Sequence, residues 1–183
     1  MVLITRKTLG TLDQVVDDKS TGLKMYVVKT DDKHYTVLYQ GSTDFNKEGG
    51  KQDWLENDAP MAGAILSKTK MATPQLKKAA SVLQEVMDKH KGASFDVYGH
   101  SLGSMCAQYA ITNVKDTNRI RGAYMYEGPN IYSTLTSRQR VNTAKLAGRA
   151  HNYVDCKDSV ALGYSDHNGT VGNIHMVKSP VDG

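Results

Sequence analysis

The sequence predicts an α/β fold, a mostly parallel central sheet flanked by helices on both faces and entered through an N-terminal antiparallel hairpin. Two observations carry this. From residue 73 onward, short runs of β-branched and aromatic residues alternate with stretches of helical period, the pattern of a parallel sheet whose strands are joined by helices. Ahead of them, "LKMYVVKT" (23–30) and "KHYTVLYQ" (33–40) are separated only by "DD", which reads as a hairpin. With 183 residues and an apolar fraction of 39%, the chain fits one domain, residues 1–183, built on a single core.

The hairpin is followed by a polar, glycine-bearing segment, "GSTDFNKEGGKQDWLENDAP", and a short apolar run, "MAGAIL". A helix can start at Thr73 and Pro74, with threonine as the cap and proline at the first helical position. Its apolar positions Leu76, Ala79, Ala80, Leu83, Val86, Met87 and His90 follow the helical period, so one face is expected to be buried. "SFDVYG" is the next strand, and a helix over about 102–114 follows, with Met105, Cys106 and Tyr109 on one face. "RIRGAYMYEGP" reads as a strand, "TSRQRVNTAKLAG" as a helix, "RAHNYVD" as a strand and "NIHMVKS" as the last strand. There is no internal repeat, low-complexity tract or linker.

Composition narrows the function. The net charge of +4 is modest and comes partly from "SKTKMATPQLKK", which reads as a solvated helix face. No segment interleaves aromatic and basic residues as a nucleic-acid groove does, so no nucleic-acid partner is expected. No window approaches the roughly 18 apolar residues that would span a bilayer, and "MVLITRKTLGTLDQ" lacks a secretory pattern. The expectation is a soluble protein that is cytoplasmic or exported without a signal peptide. Cys106 and Cys156 fall in unlike contexts and read as packed thiols rather than a disulfide framework.

The chemistry concentrates at "GHSLG", residues 99–103, which satisfies GxSxG between a strand and a helix. On so sharp a turn the residues two before and two after the serine must be small, and Gly99 and Gly103 occupy those places. Ser101 is the candidate nucleophile, and the backbone N–H of Leu102 the candidate oxyanion donor. A serine hydroxyl needs a histidine to take its proton and a carboxylate to hold that imidazole, in the chain order serine, acid, histidine. Downstream candidates are Asp155, Asp158 and Asp166 for the acid, and His151, His167 and His175 for the base. His100 reads as packing beside the turn, and His34 and His90 as strand-face and helix-end residues.

From residue 35 to 178 the chain resembles the class 3 lipases, an α/β-hydrolase group of fungal triacylglycerol lipases and related esterases and phospholipases. "VLYQGST" is similar to that family's strand followed by Arg-Gly-Ser/Thr, with Gln40 in place of the arginine. The resemblance makes Ser42 the second oxyanion donor. "DWLEN", with Trp54, resembles the segment after it. "GHSLG" matches the nucleophile motif, although Ser104 replaces a third glycine. "YMYEGPN" is similar to the strand ending in Gly-x-Pro, and "KDSV" to Asp-x-Val, which makes Asp158 the acid ahead of Asp155.

The histidine stays open. "LGYSDHNGTVGNIHMVKS" resembles the family's segment after the aspartate, whose own histidine is not the general base. The base is His167 in a polar loop, or His175 in the last strand, or is missing from this chain. Residues 43–72 are long for a connection; in the resembled family this region carries a lid, and Met61 to Leu66, rimmed by Asp58 and Lys68, form either such a lid or a buried turn. The resemblance implies hydrolysis of carboxylic esters, most readily acyl lipids, through an acyl-enzyme. Transient contact with a lipid surface is possible, and neither a metal nor an organic cofactor is implied. A non-catalytic binding module and an acyltransferase are the competing readings.

Overall fold

The computed structural model describes residues 8–41, 71–155, 163–164 and 169–178. Seven strands form one sheet in sequential order: β1 Thr11–Asp18, β2 Leu23–Asp31, β3 His34–Tyr39, β4 Ser94–His100, β5 Ile120–Tyr126, β6 Ala150–Asp155 and β7 Asn173–Val177. β1, β2 and β3 are antiparallel, and β3 to β7 are parallel. Among the described residues the α-helices that connect them are α1 Pro74–Lys89, α2 Leu102–Asn113 and α3 Ser137–Lys145.

Local chemistry accounts for the helix ends. The Thr73 hydroxyl accepts the Leu76 N–H at 3.3 Å with Pro74 in the first turn, as the sequence predicts. Thr136 and Gln139 form a reciprocal capping box for α3. At the other end of α1, the Arg119 guanidinium donates to the carbonyls of Met87 (2.9 Å), His90 (2.6 Å) and Ala93 (2.9 Å), satisfying acceptors that the helix leaves open. α1 buries Leu76, Ala79, Val82, Leu83, Val86 and Met87, so Val82 belongs to the buried face and Ala80 sits at its margin.

β1 is the strand the sequence reading omits. "TLDQVVDD" is acidic and exposed through most of its length, an edge strand whose pattern never alternates cleanly. It is held by backbone pairing to β2 and by Asp13, whose carboxylate meets His90 Nε2 at 2.9 Å. His90, the C-cap residue of α1, stacks on Tyr35 with ring centroids 4.0 Å apart.

The α/β class holds. The described helices gather on one face of the sheet. α2 packs on β3, β4 and β5, and α1 and α3 pack against α2. The core of Val27, Val37, Phe95, Val97, Met105 and Met125 lies on that side. The physical reason is the strand order: crossovers of one hand that always step in the same direction keep their helices on the same side. α2, sandwiched between sheet and helices, is buried on all sides from Gly103 to Thr112, not only along the Met105–Cys106–Tyr109 stripe.

The opposite face carries polar and aromatic side chains. His34 and Asp96 meet there: His34 Nδ1 lies 2.8 Å from Ser94 Oγ, and Nε2 lies 2.9 Å from Asp96 Oδ2. Arg121 Nη2 donates to the same carboxylate oxygen at 2.6 Å. Burial alone would raise the Asp96 carboxyl, but the hydrogen bonds and charges of Arg121 and His34 hold it below the ordinary carboxylate range. A carboxylate with a depressed folded-state pKa contributes stability that is present above its unfolded value and lost as pH falls through the folded one. Asp96→Asn is therefore expected to cost about 1–3 kcal/mol near neutrality, with the difference from wild type shrinking as pH falls below about 4. Urea unfolding of both proteins between pH 3 and pH 7 measures it.

Candidate active site

The site lies where β4 ends and α2 begins. Ser101 joins them with φ 59° and ψ −124°, a conformation that side-chain-bearing residues rarely adopt. Its hydroxyl occupies the N-cap position but makes no cap hydrogen bond, so capping does not explain the serine. The turn is held through the backbone: Ser101 N–H donates to the Tyr126 carbonyl at 2.9 Å, and Ser104 N–H to the Ser101 carbonyl at 2.9 Å.

The flanking glycines are required by close approach. A Cβ on Gly99 would collide with the Gly103 backbone, and one on Gly103 with the Tyr39 carbonyl. A Cβ on Gly128, in the loop after β5, would run into the Ser104 side chain. β3, β4, α2 and the β5 loop thus converge on one serine. Ser101 is 2% exposed, and among the described residues its Oγ has no hydrogen-bond partner. A buried hydroxyl left unpaired is uncommon and marks a group held for a ligand or a reacting partner. Leu102 opens α2, so its N–H is among those without an intrahelical acceptor at the positive end of the helix dipole.

The other expected residues are placed as follows. Gly41, at the end of β3, lies against the elbow: its Cβ position is 3.0 Å from the His100 carbonyl and 3.6 Å from Ser101 Cβ. Gln40, which stands in the arginine position, accepts from the Tyr26 hydroxyl at 2.9 Å. Asp155 ends β6, buried, and its backbone N–H donates to the Glu127 carboxylate at 3.2 Å. His175 is in mid-β7, paired with Tyr153, which pairs with Tyr126 and through it with His100. Three strand spacings, about 14 Å, separate it from the elbow strand, and its Nε2 lies 2.9 Å from His151 Nδ1. The described geometry does not bring His175 to Ser101. His100 is exposed. Ser42, Trp54, Met61 to Leu66, Cys156, Asp158 and His167 lie outside the described residues.

The structure adds supporting residues that sequence reasoning missed. Gln108, fully buried in α2, donates to Ser104 Oγ at 3.2 Å and to the Pro129 carbonyl at 3.0 Å, tying helix to loop. Tyr164 donates to the Gly128 carbonyl at 2.8 Å and accepts from Asn152 at 2.9 Å; burial pushes its phenol well above its ordinary range. Asn130 donates to the carbonyls of Gly163 and Gly169, both at 3.0 Å. Glu127 is, with Ser101, one of two described non-glycine residues at positive φ. The "EGPN" segment is where a signal existed, since its glycine and proline mark a constrained turn. Cys106 is no competing nucleophile, because burial pushes its thiol up to about 12. Among the described residues no group of three or more histidines, cysteines or carboxylates could hold a metal, and no helix is long and apolar enough to cross a membrane.

Sheet, helices and elbow together define an α/β-hydrolase fold. The same fold is seen in a mutant form of MDLA from Penicillium cyclopium (TM-score 0.55, 15% identity, covering 94% of this chain and 65% of that one). It is also seen in a Rhizomucor miehei lipase propeptide complex (0.54, 12%, 92% and 55%) and in a triacylglycerol lipase from Penicillium expansum (0.50, 13%, 96% and 73%). The chain thus spans less than two thirds of the length of the first two. The chain belongs to the Mbeg1-like family, whose model matches residues 13–164. No curated protein matches it in sequence. The likeness to fungal lipases is one of fold.

Two substitutions probe the elbow. Ser101→Gly relieves the strained backbone and removes the unpaired hydroxyl, so it is expected to stabilise the protein by about 1–3 kcal/mol. Gly103→Ala is expected to cost about 3 kcal/mol through the clash with Tyr39. Equilibrium urea unfolding reads both, and the opposite signs are the point.

Proposed function

We propose that this chain is a serine carboxylic-ester hydrolase acting on acyl esters, with acyl lipids as the natural class. The observation that carries the reading is the buried Ser101 Oγ, without a hydrogen-bond partner among the described residues, on a backbone of positive φ at the head of α2. Ser101 attacks the ester carbonyl while the Leu102 N–H and Ser42 receive the oxyanion. The base accepts the serine proton and delivers it to the leaving alcohol. Water, activated by the same imidazole, then releases the acyl group and regenerates the serine.

His167 is the base in this reading. The carbonyls of Gly163 and Gly169, on either side of it in sequence, are both bound by Asn130 two residues beyond Gly128, whereas the His175 ring is engaged by His151. Asp158, three residues past the end of β6, supplies the carboxylate that orients the imidazole. The fold neighbours, among them a triacylglycerol lipase, support the choice of acyl esters.

A serine-directed fluorophosphonate probe is expected to label the wild type and not Ser101→Ala. On p-nitrophenyl esters of graded chain length, Ser101→Ala should lose roughly 10⁴- to 10⁶-fold in kcat, and Asp158→Asn roughly 10⁴-fold. His167→Ala should fall with Ser101→Ala while His175→Ala keeps its turnover. Absence of labelling in a folded wild type would favour a binding module, and ester exchange onto an added alcohol would favour an acyltransferase.

A further inference from the structure

We infer that His151 and His175 form a bidentate site for a late divalent transition metal, Cu²⁺ above all, on the sheet face opposite the helices. The inference is independent of the ester-hydrolase reading. His151 lies in β6 and His175 in β7, two register positions apart along the ladder, where Tyr153 opposes His175 and His151 opposes Asn173. Their facing nitrogens, His151 Nδ1 and His175 Nε2, are 2.9 Å apart, joined by a hydrogen bond in which one ring donates to the other.

That separation has a geometric meaning. Two imidazole nitrogens each about 2.0 Å from one ion and 2.9 Å from each other subtend about 90° at the ion. This is the cis angle of a square-planar or octahedral ion, whereas a tetrahedral ion asks for nitrogens about 3.3 Å apart. Imidazole pairs at the narrower angle suit Cu²⁺ and Ni²⁺, and the order of divalent affinities puts Cu²⁺ first and Zn²⁺ below it. On binding, the ion would take the place of the proton between the rings: the donating ring would shift to the tautomer with its proton on the outward nitrogen, and both facing lone pairs would then turn to the ion.

The rings are held in place before any ion arrives. Tyr124 stacks on His151 at 5.7 Å between centroids and 17° between planes, and Tyr153 stacks on His175 at 4.7 Å and 18°. Those tyrosines are fixed in turn by Tyr98 at 4.9 Å and Tyr126 at 5.0 Å. Such a ladder removes much of the side-chain freedom that chelation would otherwise have to freeze. Both histidines are half-buried, so water can complete the coordination sphere. Because β7 is a five-residue strand at the end of the described sheet, an ion at this place would also link it to β6.

Titration of the untagged full chain with CuCl₂, NiCl₂ and ZnCl₂ in a non-coordinating buffer tests the site. The expected result is one Cu²⁺ per chain, with Ni²⁺ and then Zn²⁺ weaker. The Cu²⁺ electron paramagnetic resonance spectrum should show two equatorial imidazole nitrogens, and the melting temperature should rise with metal concentration. His151→Ala and His175→Ala should each lose the binding and the melting shift, while His100→Ala keeps both. In the wild type, substoichiometric Cu²⁺ should selectively broaden the ring resonances of His151 and His175, a readout that needs no variant to fold. Cu²⁺ binding that survives loss of either histidine, broadening at other histidines instead, or no binding in the wild type would each overturn the site.

Discussion

The constraint on which the rest depends is steric: the N-terminus of α2 is pressed against the ends of β3 and β4 so closely that only glycine fits at 99 and 103. A side chain at Gly103 would occupy the Tyr39 carbonyl, and one at Gly99 would occupy the backbone of Gly103 itself. This contact removes any gentler route from strand to helix. Ser101 therefore takes up a positive φ that costs about 1–3 kcal/mol, and the packing of α2 between the sheet and its helical neighbours holds it there. The direction of the hydroxyl and the placement of the helix dipole are consequences of the same contact.

A strained turn persists only where its surroundings over-determine it, and here they are polar as well as apolar. Gln108 reaches from α2 to Ser104 and to Pro129, so the helix and the loop after β5 move as one piece. Gly128 lies against Ser104, and Tyr164 and Asn152 fasten the Gly128 carbonyl to β6. Ser104, where the resembled lipases carry another glycine, is then a member of this scaffold: its hydroxyl accepts from Gln108 and its Cβ is what Gly128 must make room for. Buried amides and hydroxyls in a closed set of this kind specify one arrangement, because each partner lost leaves another unsatisfied.

Elements with strong periodicity were legible in the sequence. α1 with its Thr73–Pro74 start, the hairpin of β2 and β3, and the strand–elbow–helix at residues 94–113 follow from apolar spacing and from glycine. β1 was not legible, because an edge strand held by backbone bonds needs no apolar alternation, and its acidic residues read as surface. The side on which the helices lie was not legible either, since periodicity fixes that a face is buried but strand order decides which. At the site, Ser101 was readable because its turn imposes glycines two residues to either side. Gln108, Asn130 and Tyr164 were not, since a buried amide or phenol has no local pattern and the contacts that tie each to another loop or helix reach 21 to 39 residues along the chain.

The strands also show the character of the face turned away from the described helices. Parallel strands covered on both faces are usually continuous apolar runs. β4, β5 and β6 instead alternate: Phe95, Val97, Ala123, Met125 and Ala150 point to the helices, while Asp96, Tyr98, Tyr124, His151 and Tyr153 point away. Tyrosine and histidine suit that position because each presents a flat apolar body for stacking across strands and a polar edge to water. Rows of such rings stabilise neighbouring strands through stacking across the sheet. They also fix heteroatoms at separations set by strand spacing. The elbow and the aromatic ladder are thus two products of one sheet: the described helices fix a strained serine at the strand ends, and the face turned away from them arrays its side chains at regular intervals.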